Sequence, residues 1–179
     1  MACGHRRADA ATTSPMPRIE LELLIRAPIQ IVFDLARSID AHQASQSQHA
    51  ERAVAGRTTG LIQLGESVTW EAVHLGVRQR LTSRIVAMTA PLHFRDSMVA
   101  GAFRRFDHDH LFATVPGGTR MSDVFDYTAP LGRLGRLADR LFLQRYMTRL
   151  LAARNQTLKQ LAESGDFARY LPPPSSGKI

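Results

Sequence analysis

Two histidines stand one residue apart in the segment FDHDHLF, which covers residues 106–112. If this segment is a β-strand, its side chains alternate between two faces, so Phe106, His108, His110 and Phe112 share one face. Two aromatic residues that bracket two histidines indicate a face turned toward the interior. An imidazole in such a place can exchange protons, hydrogen-bond a ligand or bind a metal ion.

Three neighbouring segments place further polar groups among apolar ones by the same alternation. They are ESVTWEAVHLG at 66–76, LHFRDSM at 92–98 and TRMSDVFDYTA at 119–129. A largely apolar pocket that holds a few polar groups is the usual form of a small-molecule site. The predicted ligand-binding set is Trp70, His74, Phe94, Asp96, Met98, Phe106, His108, His110, Phe112, Asp123, Phe125 and Tyr127.

The sequence leaves several roles open for the two histidines. They are structural if each pairs with a carboxylate such as Asp123, because buried polar groups must be hydrogen-bonded. Alternatively, they bind the polar end of a ligand. His-x-His on one strand face also begins some metal sites when a carboxylate completes them, but no local motif adds a firm third ligand. We therefore predict no metal ion and no cofactor. A strand register shifted by one residue would instead turn both histidines to solvent.

The elements around these residues predict an α+β fold. Residues 134–161 carry apolar side chains at steps of three and four, which is typical of one long helix, and Gly165 stands where such a helix ends. Residues 18–25 form a strand candidate, followed by a helix that starts near Pro28 and a short helix after Ser38. About six antiparallel strands follow, with a hairpin at Pro116-Gly117-Gly118.

This order resembles the helix-grip fold of the START/Bet v 1-like superfamily, also called SRPBCC. The phrases that resemble its bacterial polyketide cyclase-like branch are IRAPIQIVFDLARSID at 25–40, GLIQLGESVTWEAVHLGVRQRLTS at 60–83, FRRFDHDHLF at 103–112 and DVFDYTAPLGRLGRLADRLFLQRYMTRLL at 123–151. The resemblance implies a curved sheet of about seven strands wrapped around the long C-terminal helix. It also implies a cavity that holds a hydrophobic or amphipathic molecule such as a lipid, quinone or polyketide.

An enzyme is the alternative that the same resemblance implies. Polyketide cyclases of this superfamily close and dehydrate rings, and His108, His110, Asp123 and Tyr127 would be the acid–base candidates here. The chain has no Gly-x-Ser-x-Gly nucleophile elbow and no phosphate- or dinucleotide-binding fingerprint. Covalent acyl chemistry therefore has no support, and by analogy with the fold we favour a binding protein over a cyclase or dehydratase. A weaker alternative is an interaction or regulatory domain whose cavity has collapsed.

Composition narrows the class of protein further. The 179 residues are 44% hydrophobic, which suits one domain, and the single cysteine excludes a disulfide framework within the chain. The net charge of +7 is spread among acidic residues without a basic block, so we expect no nucleic-acid partner. With a single cysteine, the reducing cytoplasm is the expected location, and because no apolar run approaches a membrane span we expect no stable membrane insertion. The predicted division is a disordered leader at 1–17, a ligand-binding domain at 18–163 and a flexible tail at 164–179. The oligomeric state is left open.

Overall fold

The computed structural model describes residues 17–46, 50–74, 76–129 and 142–171. The predicted leader, apart from Pro17, and the last eight residues of the predicted tail lie outside this part of the chain. Residues 134–141 of the predicted long helix also lie outside it.

One seven-stranded antiparallel sheet forms the body of the protein, with the strand order β1-β7-β6-β5-β4-β3-β2. Two short helices follow the first strand and a long helix follows the last. The elements are β1 Arg18–Ile25, α1 Ile29–Ala36, α2 Ile39–Ser45, β2 Arg52–Gly56, β3 Ser67–His74, β4 Val77–Thr89, β5 His93–Ala100, β6 Arg105–Val115, β7 Gly118–Thr128 and α3 Gln144–Ser164. This is the predicted helix-grip fold, a curved sheet around a C-terminal helix.

The two central strands β6 and β7 show the alternation that the sequence predicts. Every second residue from Phe106 to Phe112 is buried, and so is every second residue from Met121 to Tyr127. Val115 pairs with Gly118 across a two-residue turn, in which Gly117 has a φ of 90° that favours glycine. This short turn fixes the register of the two strands, and with it the residues that meet across them.

Helix α3 lies against β1, α1 and α2 and closes one side of the interior. Its buried apolar residues Met147, Leu151, Leu158 and Ala162 follow at steps of four and seven, which keeps them on one face. The 21 residues give a length of about 32 Å. Gly165 ends the helix with a φ of 84°, as expected for a C-terminal glycine cap.

The helices α1 and α2 join the core through aromatic and capping contacts. Phe33 is fully buried, and its ring meets those of Phe94 and Phe112 edge-on at centroid distances of 5.7 and 5.5 Å. The Ser38 hydroxyl accepts from the Ala41 amide and lies 3.0 Å from the Tyr170 carbonyl oxygen, to which it donates. The latter contact joins α2 to the chain after α3.

The chain stays folded for some distance after residue 163, the predicted end of the domain. A 3₁₀ helix spans Asp166–Arg169, and the half-buried side chains of Phe167, Tyr170 and Leu171 pack against the main core. In the described ranges, no helix is long and apolar enough to cross a lipid bilayer.

Candidate functional site

A cavity of about 300 Å³ lies between the inner face of the sheet, α3 and the α1–α2 segment. Aromatic side chains form much of the sheet wall, among them Trp70, Phe94, Phe106 and Phe125. The helix α3 contributes apolar residues such as Met147 and Leu151. The volume falls at the lower end of the range of about 300–1,000 Å³ that is usual for small-molecule sites.

Four polar residues of the central strands, Asp96, His108, His110 and Asp123, form what we call the histidine cluster. The β5–β6 register sets Asp96 opposite His108, and the β6–β7 register sets His110 opposite Asp123. Asp96 and both histidines line the cavity, whereas Asp123 lies behind the imidazole rings and has 1% of its surface exposed. The two rings therefore lie between one carboxylate at the cavity and one in the core.

Each imidazole directs one nitrogen toward each carboxylate. His110 Nε2 is 3.2 Å and His108 Nδ1 is 3.9 Å from Asp96 Oδ1. The opposite ring nitrogens, His110 Nδ1 and His108 Nε2, are 2.7 and 3.4 Å from Asp123 Oδ1. The ring centroids are 3.9 Å apart. One oxygen of each aspartate thus lies within 4 Å of both imidazole rings.

The contacts between the two imidazole rings and Asp123 are short, but their geometry is poorly aligned for hydrogen bonding. Asp123 Oδ2 accepts a 2.5 Å hydrogen bond from the Asn155 amide of α3. Among the described residues, however, Asp123 Oδ1, His108 Nε2 and His110 Nδ1 have no well-aligned hydrogen bond. The short distance between His110 and Asp123 is therefore mainly an electrostatic contact.

The charges within the histidine cluster shift its pKa values in opposite directions. Burial lowers the pKa of both histidines. For His108 the positive charge of His110 acts in the same direction, so its pKa stays below the usual value despite the aspartates. For His110 the charge and contact of Asp123 outweigh burial and raise the pKa. Burial would raise the pKa of Asp96 and Asp123, but contacts with the histidines lower both, that of Asp123 well below its usual range.

Arg154 of α3 is a cavity residue that the sequence did not identify. Only 4% of it is exposed, and its Nη2 donates to the Ala36 carbonyl oxygen at 3.1 Å. Its Nε and Nη1 have no hydrogen-bond partner among the described residues. The sequence does contain a signal for it: Arg154 and Asn155 are polar residues at positions of the apolar stripe of α3, between Leu151 and Leu158.

A second polar group lies at the wall formed by α2 and the strands β2 and β3. His42 Nε2 is 3.2 Å from Glu51 Oε1, and the His42 ring stacks on Trp70 at a centroid distance of 4.2 Å. Burial works to raise the pKa of Glu51, but the charge and hydrogen bond of His42, with the charges of His74 and Arg154, lower it. His74 Nδ1 lies 2.8 Å from the Tyr146 hydroxyl.

The structure places eight of the twelve predicted site residues on the cavity wall: Trp70, His74, Phe94, Asp96, Phe106, His108, His110 and Phe125. The other four do not line it. Phe112 packs against Phe33 in the core, Asp123 lies behind the histidines, Tyr127 is fully buried, and Met98 is half-buried beside a second core cluster. A predicted inward face therefore includes residues too deep to touch the cavity.

One donor set in the described ranges has the composition of a metal site. Asp96, His108 and His110 each offer one ligand atom, and these atoms lie within 4.8 Å of one another. Sequence reasoning found the two histidines without a firm third ligand, because Asp96 comes from a different strand and only the strand pairing brings it there.

Comparisons with known proteins agree with this fold. Residues 16–163 match the family model described as polyketide cyclase / dehydrase and lipid transport. Protein TTHA0849 from Thermus thermophilus superposes with a TM-score of 0.68 at 20% identity, covering 83% of this chain and 99% of that one. A START superfamily protein from Mycobacterium smegmatis gives 0.63 at 10% identity, covering 82% and 97%. Ginseng major latex-like protein 151 from Panax ginseng gives 0.57 at 13% identity, covering 87% and 97%.

A comparison with curated protein sequences gives no match. The structural similarities are at low sequence identity and concern the fold alone. Together with the family model they confirm the resemblance to the START/Bet v 1-like superfamily.

Proposed function

Because the chain belongs to the polyketide cyclase/dehydrase and lipid transport family, we propose that it binds an amphipathic small molecule with an apolar body and an anionic end. The apolar body occupies the cavity between the sheet and α3, and the anionic end pairs with Arg154. The observation that carries this proposal is a buried guanidinium with unpaired donors in the wall of a mostly apolar cavity.

A guanidinium at this depth with two nitrogens that lack a partner among the described residues has a high desolvation cost, which a bound anion would offset. A buried charge without a hydrogen-bonded partner is among the least favourable groups in a protein. In the described part of the chain, Arg154 has one hydrogen bond, to Ala36, and two nitrogens without a partner. A carboxylate or enolate oxygen of a ligand would accept from these nitrogens and form a charge-assisted hydrogen bond.

The rest of the wall supports an apolar body for the ligand. Trp70, Phe94 and Phe106 present aromatic surface to the cavity, and each methylene moved there from water contributes about 0.8 kcal/mol. Affinity thus comes from the apolar wall, and the position of the ligand in the cavity comes from Arg154.

The test uses dodecanoic acid and its methyl ester, which share a chain but differ in charge. Trp70 is the only tryptophan and lines the cavity, so its fluorescence reports binding directly. We expect the acid to bind more tightly than the ester, and Arg154→Met to remove that difference. Arg149→Met, at an exposed position of the same helix, is the matched control and should preserve it.

Equal affinity for acid and ester in the wild-type protein would contradict the role of Arg154. Failure to bind either compound, or any lipid, quinone or aromatic polyketide of a wider panel, would contradict the binding function itself. Native mass spectrometry of the freshly purified protein, followed by extraction, identifies the chemical class of any molecule that is retained.

A second candidate function is a cyclase or dehydratase reaction. The observation that favours it is that Asp96, His108 and His110 reach the cavity wall, where they would meet a bound carbonyl compound. The test is turnover: a linear polyketide analogue should be converted by the wild-type protein and by Arg149→Met, but not by His110→Gln. If the analogue binds but is not converted, the enzymatic function is contradicted and the proposed binding function is unaffected.

A further inference from the structure

We propose that Asp96, His108 and His110 bind a divalent transition-metal ion at the cavity wall, and that Asp123 orients the two histidines. This goes beyond the binding of an amphipathic molecule, because it assigns a second kind of ligand to the same cavity. Two imidazoles and one carboxylate are a donor set suited to Zn²⁺, Fe²⁺ and related ions.

The three donor atoms are already close to the spacing that an ion requires. Bond lengths of about 2.0–2.2 Å imply that neighbouring ligand atoms lie roughly 3.0–3.5 Å apart. Asp96 Oδ1 is 3.2 Å from His110 Nε2 and 3.9 Å from His108 Nδ1. All three atoms fall within 4.8 Å of one another, so shifts of about 1 Å or less suffice to complete the triad.

The position of Asp123 is the independent observation that distinguishes a metal site from a simple polar cluster. A histidine that binds a metal through one nitrogen usually donates its other N–H to a carboxylate. Here the nitrogens that face away from Asp96, His110 Nδ1 and His108 Nε2, lie 2.7 and 3.4 Å from Asp123 Oδ1, as electrostatic contacts that are not aligned as hydrogen bonds among the described residues. The Asn155 amide holds the other oxygen of Asp123. Both rings are thus oriented with their remaining nitrogens toward Asp96.

Charge and exposure also suit a cation. Asp96 and Asp123 bring two carboxylates to one site, and a divalent ion would offset their negative charge and replace the hydrogen bond between His110 Nε2 and Asp96, against the opposing field of Arg154. Since Asp96, His108 and His110 all line the cavity, the free coordination positions of the ion would face the bound molecule.

Another histidine–aspartate pair on the same two strands provides a matched control. His93 Nε2 lies 2.7 Å from Asp109 Oδ1, but Arg95 already binds both oxygens of Asp109 at 2.7 Å. That carboxylate is neutralised by a permanent cation. His93→Gln therefore removes a comparable histidine without touching the proposed site.

The experiment measures Co²⁺ binding to tag-free protein that has been treated with a chelator and dialysed. We expect one Co²⁺ per chain with visible absorption bands, displaced by one equivalent of Zn²⁺. His110→Gln and Asp96→Asn should lose stoichiometric binding, and Asp123→Asn should weaken it by about 10- to 100-fold. His93→Gln should bind like the wild-type protein, and so should a Cys3→Ser, His5→Gln double variant, which removes other potential ligands.

Circular dichroism of each variant establishes that it is folded, and if His110→Gln does not fold, Asp96→Asn decides the question. The absence of stoichiometric Co²⁺ binding by the wild-type protein would overturn the proposal. So would unchanged Co²⁺ affinity in folded Asp96→Asn. Neither result bears on Arg154, whose role is tested separately with dodecanoic acid.

Discussion

Replacing Arg154 by methionine should separate stability from ligand affinity. Arg154 has two nitrogens without a partner among the described residues, and a buried unsatisfied donor costs about 1–3 kcal/mol. Removing both of these nitrogens should therefore raise the free energy of unfolding of the methionine variant by about 2–6 kcal/mol. The lost hydrogen bond to the Ala36 carbonyl, made by a charged donor, offsets about 1.5–3 kcal/mol of this.

The field of Arg154 also acts on two carboxylates, which reduces the expected gain. Its positive charge contributes to lowering the pKa values of Glu51 and Asp96, so both lose a favourable interaction in the variant. The gain less the lost hydrogen bond runs from about −1 to about +4.5 kcal/mol, and the lost interactions with the carboxylates lower both ends, so we expect the free energy of unfolding of ligand-free Arg154→Met to stay within about 2 kcal/mol of wild type. Truncating a buried charge pair costs about 2–5 kcal/mol, so its affinity for dodecanoic acid should fall about 30- to 5,000-fold.

Urea unfolding followed by circular dichroism measures the first quantity, and Trp70 fluorescence measures the second. Arg149→Met should change the free energy of unfolding by no more than about 0.5 kcal/mol, as expected for an exposed residue. If Arg154→Met lowers the stability of the ligand-free protein by more than about 2 kcal/mol while affinity is unchanged, the guanidinium is structural and our reasoning is refuted.

Three further substitutions test the packing, the helix cap and the second polar group. Phe33→Ala should lose about 3–5 kcal/mol in urea unfolding, because a fully buried ring is removed, whereas Phe142→Ala, at a residue with 47% exposure, should lose far less. Gly165→Ala should cost about 1 kcal/mol, since its φ of 84° is unfavourable for alanine although no atom lies within 4 Å of the added carbon; equal stability would contradict this. Glu51→Gln should be less stable than wild type near neutral pH. Because the folded-state pKa of Glu51 is lowered, its contribution is present above its unfolded pKa of about 4.5 and disappears as the pH falls through the folded value. A difference between the two proteins that persists in acid would contradict that assignment.

Much of the sheet could be predicted because strand periodicity is a local property. The alternation in residues 106–112 and 119–129 puts His108, His110 and Asp123 on inward faces without knowledge of the rest of the chain. The Pro-Gly-Gly sequence then sets the turn that brings β6 and β7 together. In this region local geometry and turn chemistry determine the register, so the sequence is sufficient.

The depth of each inward residue could not be predicted in the same way. Phe112 and Tyr127 share faces with cavity residues, but packing against α1 and against neighbouring aromatic rings places them in the core instead. Arg154 was missed for a related reason. Its position in the cavity depends on how α3 is rotated about its axis and docked on the sheet, and the steps of three and four fix only which residues share a face.

The two proposals for this cavity are physically linked through charge. An anionic ligand at Arg154 would approach Asp96, whose carboxylate is close enough for the charge of Arg154 to lower its pKa, and would be repelled by it. A divalent ion on Asp96, His108 and His110 would reverse the sign of that interaction, so metal and ligand should each raise the affinity for the other by the same factor. We therefore expect Zn²⁺ to tighten the binding of dodecanoic acid more than that of its methyl ester, measured by Trp70 fluorescence with and without Zn²⁺. Asp96→Asn should remove this metal effect while His93→Gln retains it. If the protein binds Zn²⁺ but its affinity for the acid does not change, the metal site and the anion site are not energetically coupled, and this last prediction is wrong.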